Sequence, residues 1–360
     1  MIVMREIKQL IESEVKAGKT PSVQYYLFTK DQLLKEFRCG VADVANQTAI
    51  SDEHTYNAYS VTKTFTALAI LQLAEQKKLY IGDSVSSYLP QFPYGSAVTI
   101  RQLLNHTAGI PNPIPLSWIH LKEEHGGFDA AAFFQNVIDK NKKLRTKPGE
   151  RFSYSNLGYI FLGQIIEQLS DKRYEDFITE SIIDKLRADS IELGFETKHD
   201  GHHAKGYHKP MSVSNLVLGL FINKKKYMSK AEGNWKPFKP FYVNGAPYGG
   251  LIGKPLAFVK YIQSLLQNDS ALLSNQYKKL LFEESKTRNA IKTGMALSWF
   301  TGELNGHRFV THAGGGGGFY CEIRLYTEQN LGSVVFFNRT GMTDERFLNK
   351  VDGVYLPRMK

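Results

Sequence analysis

The sequence predicts an α/β protein of the α+β type, with one antiparallel sheet built from both ends of the chain and flanked by helices. Two observations predict this fold: strand-like segments lie near both termini, and a mostly helical pattern fills the interval between them. We therefore expect a single domain with a sheet subdomain at about residues 1–58 and 286–360 and an inserted helical subdomain at about residues 59–285. The cleft between the two subdomains is the expected place for a substrate site.

The elements of the sheet subdomain are predicted from period and turn chemistry. The N-terminal segment has the period of an amphipathic helix, whose apolar face comprises Ile7, Leu10, Ile11 and Val15. Residues 23–28 and 33–41 are strand-like segments joined by the polar turn 29–32, a pattern typical of a β-hairpin. Strand patterns return near the C-terminus at residues 296–303, 308–311, 319–326 and 332–337. A last helix is expected at about residues 344–354.

The inserted segment is predicted to be mostly helical. From about Ser60 the apolar residues are so dense that the first of its helices is expected to be buried on most sides. Residues 199–248 form an irregular stretch, which we expect to lie over the cleft. The aromatic residues of this stretch fit an acyl pocket and the core of a loop equally well; they are Trp235, Phe238, Phe241 and Tyr242.

The composition excludes two classes of protein. With 42% hydrophobic and 22% charged residues in a chain of 360, the sequence can bury a large core, which excludes a disordered chain. Its two cysteines, Cys39 and Cys321, are too few for a disulfide scaffold. Each lies in a strand-like segment near one terminus, so a pairing between them is left open, although buried free thiols are the expectation.

Charge and hydropathy bear on partners and location. The formal net charge of +10 at pH 7 is scattered along the chain, so we expect no nucleic-acid partner. The longest apolar run, residues 216–222, has seven residues and is too short for a membrane span. The N-terminal residues lack the features of a signal peptide, which predicts a cytoplasmic protein as written, and a periplasmic or secreted one if a leader has been removed.

No metal and no cofactor are predicted. The irregular stretch contains four histidines, but no two of them are spaced i, i+4 within a clear helix and no Glu or Cys completes a ligand set. These residues are His199, His202, His203 and His208, and we expect them at the surface.

The first candidate motif is Ser60-Val61-Thr62-Lys63, at the start of the buried helix. Residues three apart share a helical face, so the Ser60 hydroxyl can meet the Lys63 amine. A lysine in an apolar cleft has a lowered pKa and can take the proton of a serine, which is otherwise a poor nucleophile. Taken alone, the pattern fits equally an N-cap serine beside a solvent-exposed lysine.

The second candidate motif is Tyr154-Ser155-Asn156, between a Pro-Gly turn and an apolar helical period. A phenol near a cationic lysine can be held as a phenolate or pass through one, and a phenolate is a general base. Asn156 offers a donor and an acceptor to a substrate amide or to the lysine. A buried tyrosine beside a capping asparagine is the structural alternative.

The third candidate motif begins at His312 and continues with the glycines 314–318. Glycines let a substrate acyl group lie directly against the backbone, and the N–H of Gly315 is a candidate oxyanion donor beside that of Ser60. Gly314 is part of the same candidate motif. A flexible hairpin loop is the alternative explanation for five consecutive glycines.

In the order S-x-x-K, Y-x-N and H-x-G, these motifs resemble those of the serine β-lactamase and penicillin-binding-protein superfamily. The branch that the sequence resembles most is that of class C β-lactamases, D-aminopeptidases and related esterases. The resemblance runs from about residue 10 to residue 340 and includes the segments 79–90, 98–111, 147–163, 204–207 and 248–251.

The resemblance implies the β-lactamase/transpeptidase-like fold, a sheet packed on a helical subdomain, and a covalent acyl-serine mechanism. It makes Ser60 the nucleophile, Lys63 and Tyr154 its proton-handling partners, and Asn156 a residue that orients substrate. The opposite wall of the site would be formed by His312, Gly314 and Gly315.

One departure from the family pattern bears on the substrate. Penicillin-processing members commonly carry Lys-Thr-Gly where this chain has His312, Ala313 and Gly314. Lysine is a fixed cation that attracts a substrate carboxylate, whereas a histidine with an ordinary pKa of about 6.5 is mostly neutral at pH 7. Recognition of an acidic β-lactam is therefore in question. The His-x-Gly form resembles the branch that includes esterases, peptidases and acyltransferases.

We therefore predict a metal-independent serine hydrolase that forms an acyl-enzyme on Ser60 and releases it to water. Its substrate would be a small molecule, an ester, amide or β-lactam. Two alternatives remain open: an acyltransferase of the same fold, in which an alcohol or amine replaces water, and a penicillin-binding or regulatory module that is acylated without turnover. The oligomeric state is also left open.

Overall fold

A computed structural model describes residues 2–188, 192–210, 222–340 and 346–357. Its centre is a seven-stranded antiparallel sheet, in which segments from both ends of the chain pair directly, for example Tyr25 opposite Val335. The strands of this sheet are β1 (Ser22–Thr29), β2 (Leu33–Asp43), β3 (Thr48–Ala49), β11 (Phe300–Leu304), β12 (His307–Gly316), β13 (Phe319–Tyr326) and β14 (Leu331–Phe337). Their order is β11-β12-β13-β14-β1-β2-β3, which confirms the predicted antiparallel sheet.

Helices and short strands complete the chain. The helices are α1 (Ile2–Lys16), α2 (Thr62–Glu75), α3 (Ile100–Leu104), α4 (Ala130–Asp139), α5 (Asn156–Ser170), α6 (Tyr174–Ile178), α7 (Lys224–Tyr227), α8 (Ala246–Gly249), α9 (Pro255–Leu266), α10 (Asn275–Phe282) and α11 (Phe347–Tyr355). The short strands are β4 (Tyr56–Asn57), β5 (Ile119–Leu121), β6 (Leu193–Gly194), β7 (Tyr207–His208), β8 (Lys236–Pro237), β9 (Phe241–Val243) and β10 (Ile252–Gly253).

Both faces of the sheet are covered, and the alternation of side chains along each strand divides the core in two. On one face, Phe337 and Val335 of β14 pack with residues of the terminal helices α1 and α11. On the other face, Val334 and Phe336 pack with α2, α9 and the rest of the inserted segment. Because the central strands are buried on both sides, they show little alternation between apolar and polar residues; β14 is apolar apart from Ser333, whereas β13 also carries the buried Glu322 and Arg324.

Helix α2 is surrounded by protein, as its dense apolar sequence predicts. Every residue from Thr62 to Ala74 is buried, and the helix packs against α5, α8 and α10. It begins at Thr62 rather than Ser60, because residues 59–61 form a 3₁₀ turn that leads into it.

The C-terminal strands differ from prediction in two places. β11 begins at Phe300 rather than at residue 296, because Ser298 has a positive φ of 70° and Ala296 bonds back to Trp299. β12 continues to Gly316, five residues beyond the predicted end, because glycines carry no side-chain pattern yet can pair in a ladder. The last helix begins at Phe347; residues 344–345 of the predicted range lie outside the described residues.

Several smaller expectations are also answered. Cys39 on β2 and Cys321 on β13 are both free, because β14 and β1 separate their strands. The expectation of surface histidines is wrong for His208, which is buried, and His203 is half-buried. Within the described ranges no helix is long and apolar enough to cross a membrane; residues 216–221 of the apolar run noted above lie outside those ranges.

Candidate active site

Ser60 lies in the 3₁₀ turn before α2, at the edge of the sheet. The turn is held from two sides: the Ala58 N–H donates to the Leu251 carbonyl over 2.8 Å, and the Tyr59 hydroxyl donates to the Gly317 carbonyl over 2.7 Å. Tyr59 has a φ of +44°, a conformation that costs energy in a non-glycine residue. The contacts of its neighbours thus hold Ser60 in one strained position between α2 and β12.

Two of the predicted partners meet at the Ser60 hydroxyl. Lys63 Nζ lies 3.0 Å from Ser60 Oγ, and the Tyr154 hydroxyl lies 3.0 Å from the same oxygen. Tyr154 precedes helix α5, whose N-cap is the Ser155 hydroxyl, as the predicted loop-to-helix junction requires. Two side chains from distant segments of the chain therefore converge on the oxygen atom of a third.

Lys63 is completely buried. Its Nζ also contacts the Tyr248 carbonyl at 2.7 Å and lies 5.1–5.5 Å from the ring centroids of Tyr154, Tyr159 and Tyr248. The ring faces favour an ammonium ion, but no carboxylate is within ion-pair distance of Nζ among the described residues. Burial dominates and holds the pKa of Lys63 well below its usual value, so the amine can accept a proton from Ser60.

Tyr154 is held as a neutral phenol. Burial raises the pKa of its hydroxyl, and the hydrogen bond with Ser60 offsets only part of that effect. The ring lies between His106, at a centroid distance of 4.2 Å, and Phe300, at 6.5 Å. Of the two alternatives predicted for Tyr154, a phenol held as a phenolate and a phenol that passes through one, the raised pKa favours the second.

Asn156 is the first residue of α5 and lies in the wall of the cavity that contains Ser60. Its backbone N–H donates to Asn112 Oδ1 over 3.0 Å, which fixes the start of the helix. The acceptor that Lys63 uses is the Tyr248 carbonyl rather than the Asn156 amide. Asn156 Oδ1 is buried and has no hydrogen-bond partner among the described residues.

The glycines of β12 allow the strand to lie directly on the Ser60 turn. A Cβ atom on Gly314 would lie 2.0 Å from the Ala58 carbonyl oxygen, and one on Gly316 would lie 2.4 Å from the Tyr59 ring. Gly315 points the other way, where a Cβ atom would make an ordinary contact of 3.5 Å with Tyr320. Gly314 and Gly316 are therefore required by packing, whereas Gly315 is not.

The Gly315 amide faces the cavity because of the strand register. Gly317 and Gly318 form a two-residue turn, so the flanking pair of Gly316 and Phe319 exchanges both backbone hydrogen bonds. Hydrogen-bonded pairs alternate along an antiparallel ladder, so the N–H of Gly315 is directed away from β13. Because β11 pairs with β12 only as far as Thr311, this amide lies at an open strand edge beside Ser60.

His312 is buried behind that edge rather than in the cavity wall. Its Nδ1 donates to the Ala313 carbonyl over 2.8 Å, and its ring contacts Phe300. Burial lowers the pKa of His312 to about 3, so the imidazole is neutral near pH 7. Of the three residues expected in the wall, Gly315 lines the cavity, and Gly314 and His312 support it from behind.

The cavity at Ser60 has a volume of about 80 Å³ and is largely apolar. Its apolar lining comprises Pro115, Leu116, Trp118, Ile119, Ile222, Phe238, Val243 and Tyr248. Of the four aromatic residues left open between pocket and loop core, only Phe238 lines it; Phe241 packs behind Phe238, Trp235 packs on Tyr207, and Tyr242 lines a separate cavity. No charged side chain of the described residues lines this cavity.

Residues 7–354 match the sequence model of the family described as Beta-lactamase. The chain belongs to the beta-lactamase family. This match covers both the Ser60 segment and β12.

Three similar proteins show how far the similarity reaches. Protein flp of Staphylococcus aureus (strain N315) is 27% identical over 348 residues, which cover 93% of this chain and 63% of flp, so the chain spans less than two thirds of that relative. The structure of D-amino acid amidase from Ochrobactrum anthropi SV3 complexed with D-phenylalanine superposes with a TM-score of 0.79 at 18% identity, covering 98% of this chain and 97% of the amidase. EstCE1, a hydrolase with promiscuous acyltransferase activity, has a TM-score of 0.76 at 19% identity and 98% coverage of both chains. These two likenesses show a shared fold.

Two parts of this beta-lactamase family site were missed by the sequence. Tyr248 acts through its main-chain carbonyl, for which no side-chain pattern exists. His106 lies within the segment 98–111, yet its ring reaches Tyr154 only because its φ is +57°, which a sequence pattern does not reveal.

A pair of glycine variants tests whether β12 positions the Ser60 turn in this family member. Gly314→Ala places a Cβ atom against Ala58, so we expect a loss of about 1–3 kcal/mol in the free energy of unfolding and a clear fall in activity. Gly315→Ala is the matched control, with wild-type stability expected because its Cβ finds room. Thermal unfolding measures the stability of both variants. Equal losses in the two variants would contradict the close approach of Gly314 to Ala58.

Proposed function

We propose that the protein is a serine hydrolase that forms an acyl-enzyme on Ser60 and hydrolyses it, with a small ester, amide or β-lactam as substrate. The observation that carries the proposal is the convergence of Lys63 Nζ and the Tyr154 hydroxyl, each 3.0 Å away, on Ser60 Oγ. A buried amine and a phenol on one serine oxygen supply a base for the nucleophile and an acid for the leaving group.

In the acylation step, Ser60 Oγ attacks the substrate carbonyl and its proton passes to the neutral Lys63 amine. The bond between the carbonyl carbon and the leaving oxygen or nitrogen breaks, and Tyr154 donates its phenolic proton to that atom. The products are an ester on Ser60, a free alcohol or amine, a Lys63 ammonium and a Tyr154 phenolate. The ammonium and the phenolate stabilise each other in the dry site.

In the deacylation step, the Tyr154 phenolate takes a proton from a water molecule, which attacks the acyl carbon. The ester bond to Ser60 Oγ breaks, and the Lys63 ammonium returns its proton to that oxygen. Serine, lysine and tyrosine are thereby restored to their starting states. The raised pKa of the Tyr154 phenol, caused by burial, makes its phenolate a strong base for this step.

The oxyanion formed in both steps would be bound by two backbone amides. Ser60 lies in the first turn leading into α2, where N–H groups lack intrahelical partners. The Gly315 amide faces the same cavity from the strand edge. Two preorganised donors of this kind form an oxyanion hole.

The electrostatics favour an uncharged acyl group. The cavity is apolar, burial holds the pKa of Lys63 well below its usual value, and His312 stays neutral because its pKa is lowered to about 3. A substrate carboxylate would meet no fixed cation among the described lining residues and would lose its hydration. The fold shared with the D-amino acid amidase and with EstCE1 is in keeping with amide or ester substrates.

The proposal is tested by offering the protein three substrate classes: p-nitrophenyl acetate and butyrate, amino acid p-nitroanilides, and a chromogenic cephalosporin. We expect ester or amide turnover exceeding cephalosporin cleavage, and intact mass should show one acyl group on the wild type. Ser60→Ala is the control and should lose both turnover and adduct. Undiminished turnover by Ser60→Ala would refute the assignment.

The same assay separates the alternatives. EstCE1 is described as having acyltransferase activity, so the reactions are repeated with added methanol, and formation of methyl ester in place of acid would favour an acyltransferase. A mass adduct that persists for hours without turnover would favour a penicillin-binding module.

A further inference from the structure

We propose that His106 is a positioning residue that fixes the Tyr154 phenol against Ser60 by contacting three consecutive residues, Ser153, Tyr154 and Ser155. The inference rests on the proposed function, since it concerns how the proton donor of that reaction is held. His106 makes no contact with Ser60 itself among the described hydrogen bonds, so its effect must pass through Tyr154.

His106 makes one contact with each of these three residues. The His106 carbonyl accepts the Ser153 N–H over 2.7 Å, and His106 Nδ1 accepts the Ser155 N–H over 3.1 Å. Between these two bonds the imidazole lies on the Tyr154 ring, with 4.2 Å between centroids and 31° between planes. The backbone on both sides of Tyr154 and the ring itself are thus fixed by a single residue.

These contacts require one tautomer of the His106 ring. Because the Ser155 N–H is a donor, Nδ1 must carry a lone pair, and the proton of the neutral ring is on Nε2. Protonation of Nδ1 would remove the acceptor. His106 is 2% exposed, and burial keeps its pKa well below the usual value, which favours the neutral ring and its Nδ1 acceptor.

The backbone conformation of His106 helps to place the ring against Tyr154. Its φ of +57° turns the chain sharply after α3 and carries the ring under Tyr154. The next residue extends the junction, because the Thr107 carbonyl accepts the Gly149 N–H over 2.7 Å. A left-handed conformation in a non-glycine residue costs energy and persists only where its surroundings enforce it.

Two substitutions separate the hydrogen bond of His106 from its ring contact. His106→Phe keeps a ring for stacking but removes the acceptor of the Ser155 N–H, so we expect kcat to fall by about 10- to 100-fold with KM changed less than about threefold. His106→Asn returns an acceptor oxygen close to the position of Nδ1, and asparagine tolerates a positive φ. We expect His106→Asn to recover most of the lost kcat.

A double-mutant cycle with Tyr154→Phe decides between positioning and a merely structural role. If His106 acts through the phenol, His106→Phe should lower kcat less than about threefold once Tyr154→Phe is present. A purely structural role lowers kcat by the same factor in both backgrounds, and that result would overturn the proposal. His307→Phe is the control for loss of a buried histidine, since His307 lies at the far end of β12 and contacts the Pro357 carbonyl.

The outcomes distinguish this inference from the function on which it rests. Full activity of Tyr154→Phe, or of Ser60→Ala, would refute the proposed function. A strongly impaired Tyr154→Phe combined with an additive effect of His106→Phe would leave the function standing and reject only the positioning role. Thermal unfolding of every variant is measured alongside, so that a fall in kcat is compared at equal folded fraction.

Discussion

Replacing Lys63 with methionine is expected to lower kcat/KM by about a thousandfold or more while leaving the protein at least as resistant to unfolding as the wild type. The loss of activity follows because the buried amine that contacts the Ser60 hydroxyl is removed, and general base catalysis commonly contributes 10²- to 10⁴-fold. Methionine matches the length of the lysine chain without its amine.

The expected stability of Lys63→Met follows from the thermodynamic linkage between proton binding and folding. The pKa of Lys63 is lower in the folded state than in the unfolded chain, so the unfolded state binds more protons between those two values and stability rises with pH across that window. At pH 7 the burial of Lys63 therefore costs stability, and methionine removes this cost. The Tyr248 carbonyl loses its partner in the variant, which offsets part of the gain.

The pH dependence of the wild type should show the same group. As pH falls below the lowered pKa of Lys63, the amine becomes an ammonium and can no longer accept the serine proton. We expect kcat/KM to fall about tenfold per pH unit on this acidic limb, with its midpoint far below the ordinary lysine pKa. Retention of activity by Lys63→Met, or the absence of any acidic limb, would count against Lys63 as the base.

Lys278 provides a matched control for this variant. It is another buried lysine, 7% exposed on α10, and burial also lowers its pKa. Its amine contacts the Gln267 carbonyl rather than any residue of the site. Lys278→Met should therefore keep wild-type kcat/KM, so a loss of activity shared by both variants would indicate a general effect of removing buried lysines.

The residues that sequence alone could locate are those whose side chains do the contacting. Ser60, Lys63 and Tyr154 are recognisable because each supplies a chemically distinctive group at a predictable point of a helix, and the structure brings all three together. The glycines of β12 were predicted to let a substrate acyl group lie against the backbone, and the structure adds a different role for Gly314, its close packing on Ala58. Their roles in catalysis stay predictions until the variants are measured.

What the sequence could not supply depends on backbone geometry and burial. Tyr248 contributes a carbonyl, which every residue has, and His106 reaches Tyr154 through a left-handed turn. The sequence also left open whether Tyr154 is held as a phenolate or passes through one, and only the depth of burial gives the directions in which the pKa values of Lys63 and Tyr154 are shifted. Desolvation is a property of the packed fold rather than of a motif.

The largest expected effect on stability lies on the opposite face of the sheet, at Arg324. This side chain is fully buried, 2.7 Å from Glu322 and 3.6 Å from Asp352, with its guanidinium over the Phe309 ring. Asp352 in turn accepts hydrogen bonds from the Ser333 and Tyr326 hydroxyls. Arg324→Met removes the cation and leaves two carboxyl groups buried beside each other.

We expect Arg324→Met to lower the free energy of unfolding by about 3–5 kcal/mol, the usual cost of breaking a buried ion pair from one side. Urea denaturation of the purified variants measures this change. Arg38 on β2 is the matched control, since it also contacts two carboxylates, Glu36 and Asp52, but at the surface. Arg38→Met should cost less than about 1 kcal/mol.

The pH dependence of the Arg324→Met effect identifies its cause. Burial raises the pKa of Asp352 to about 6 in the wild type, although Arg324 favours the charged form. A carboxyl with a raised pKa in the folded state contributes stability at low pH that is lost as pH rises through that value. Without Arg324 the pKa of Asp352 rises further, so the cost of the substitution should grow between pH 5 and pH 8. Asp352→Asn added to Arg324→Met should remove that growth, whereas a cost independent of pH would mean that lost packing, rather than an unpaired charge, destabilises the variant.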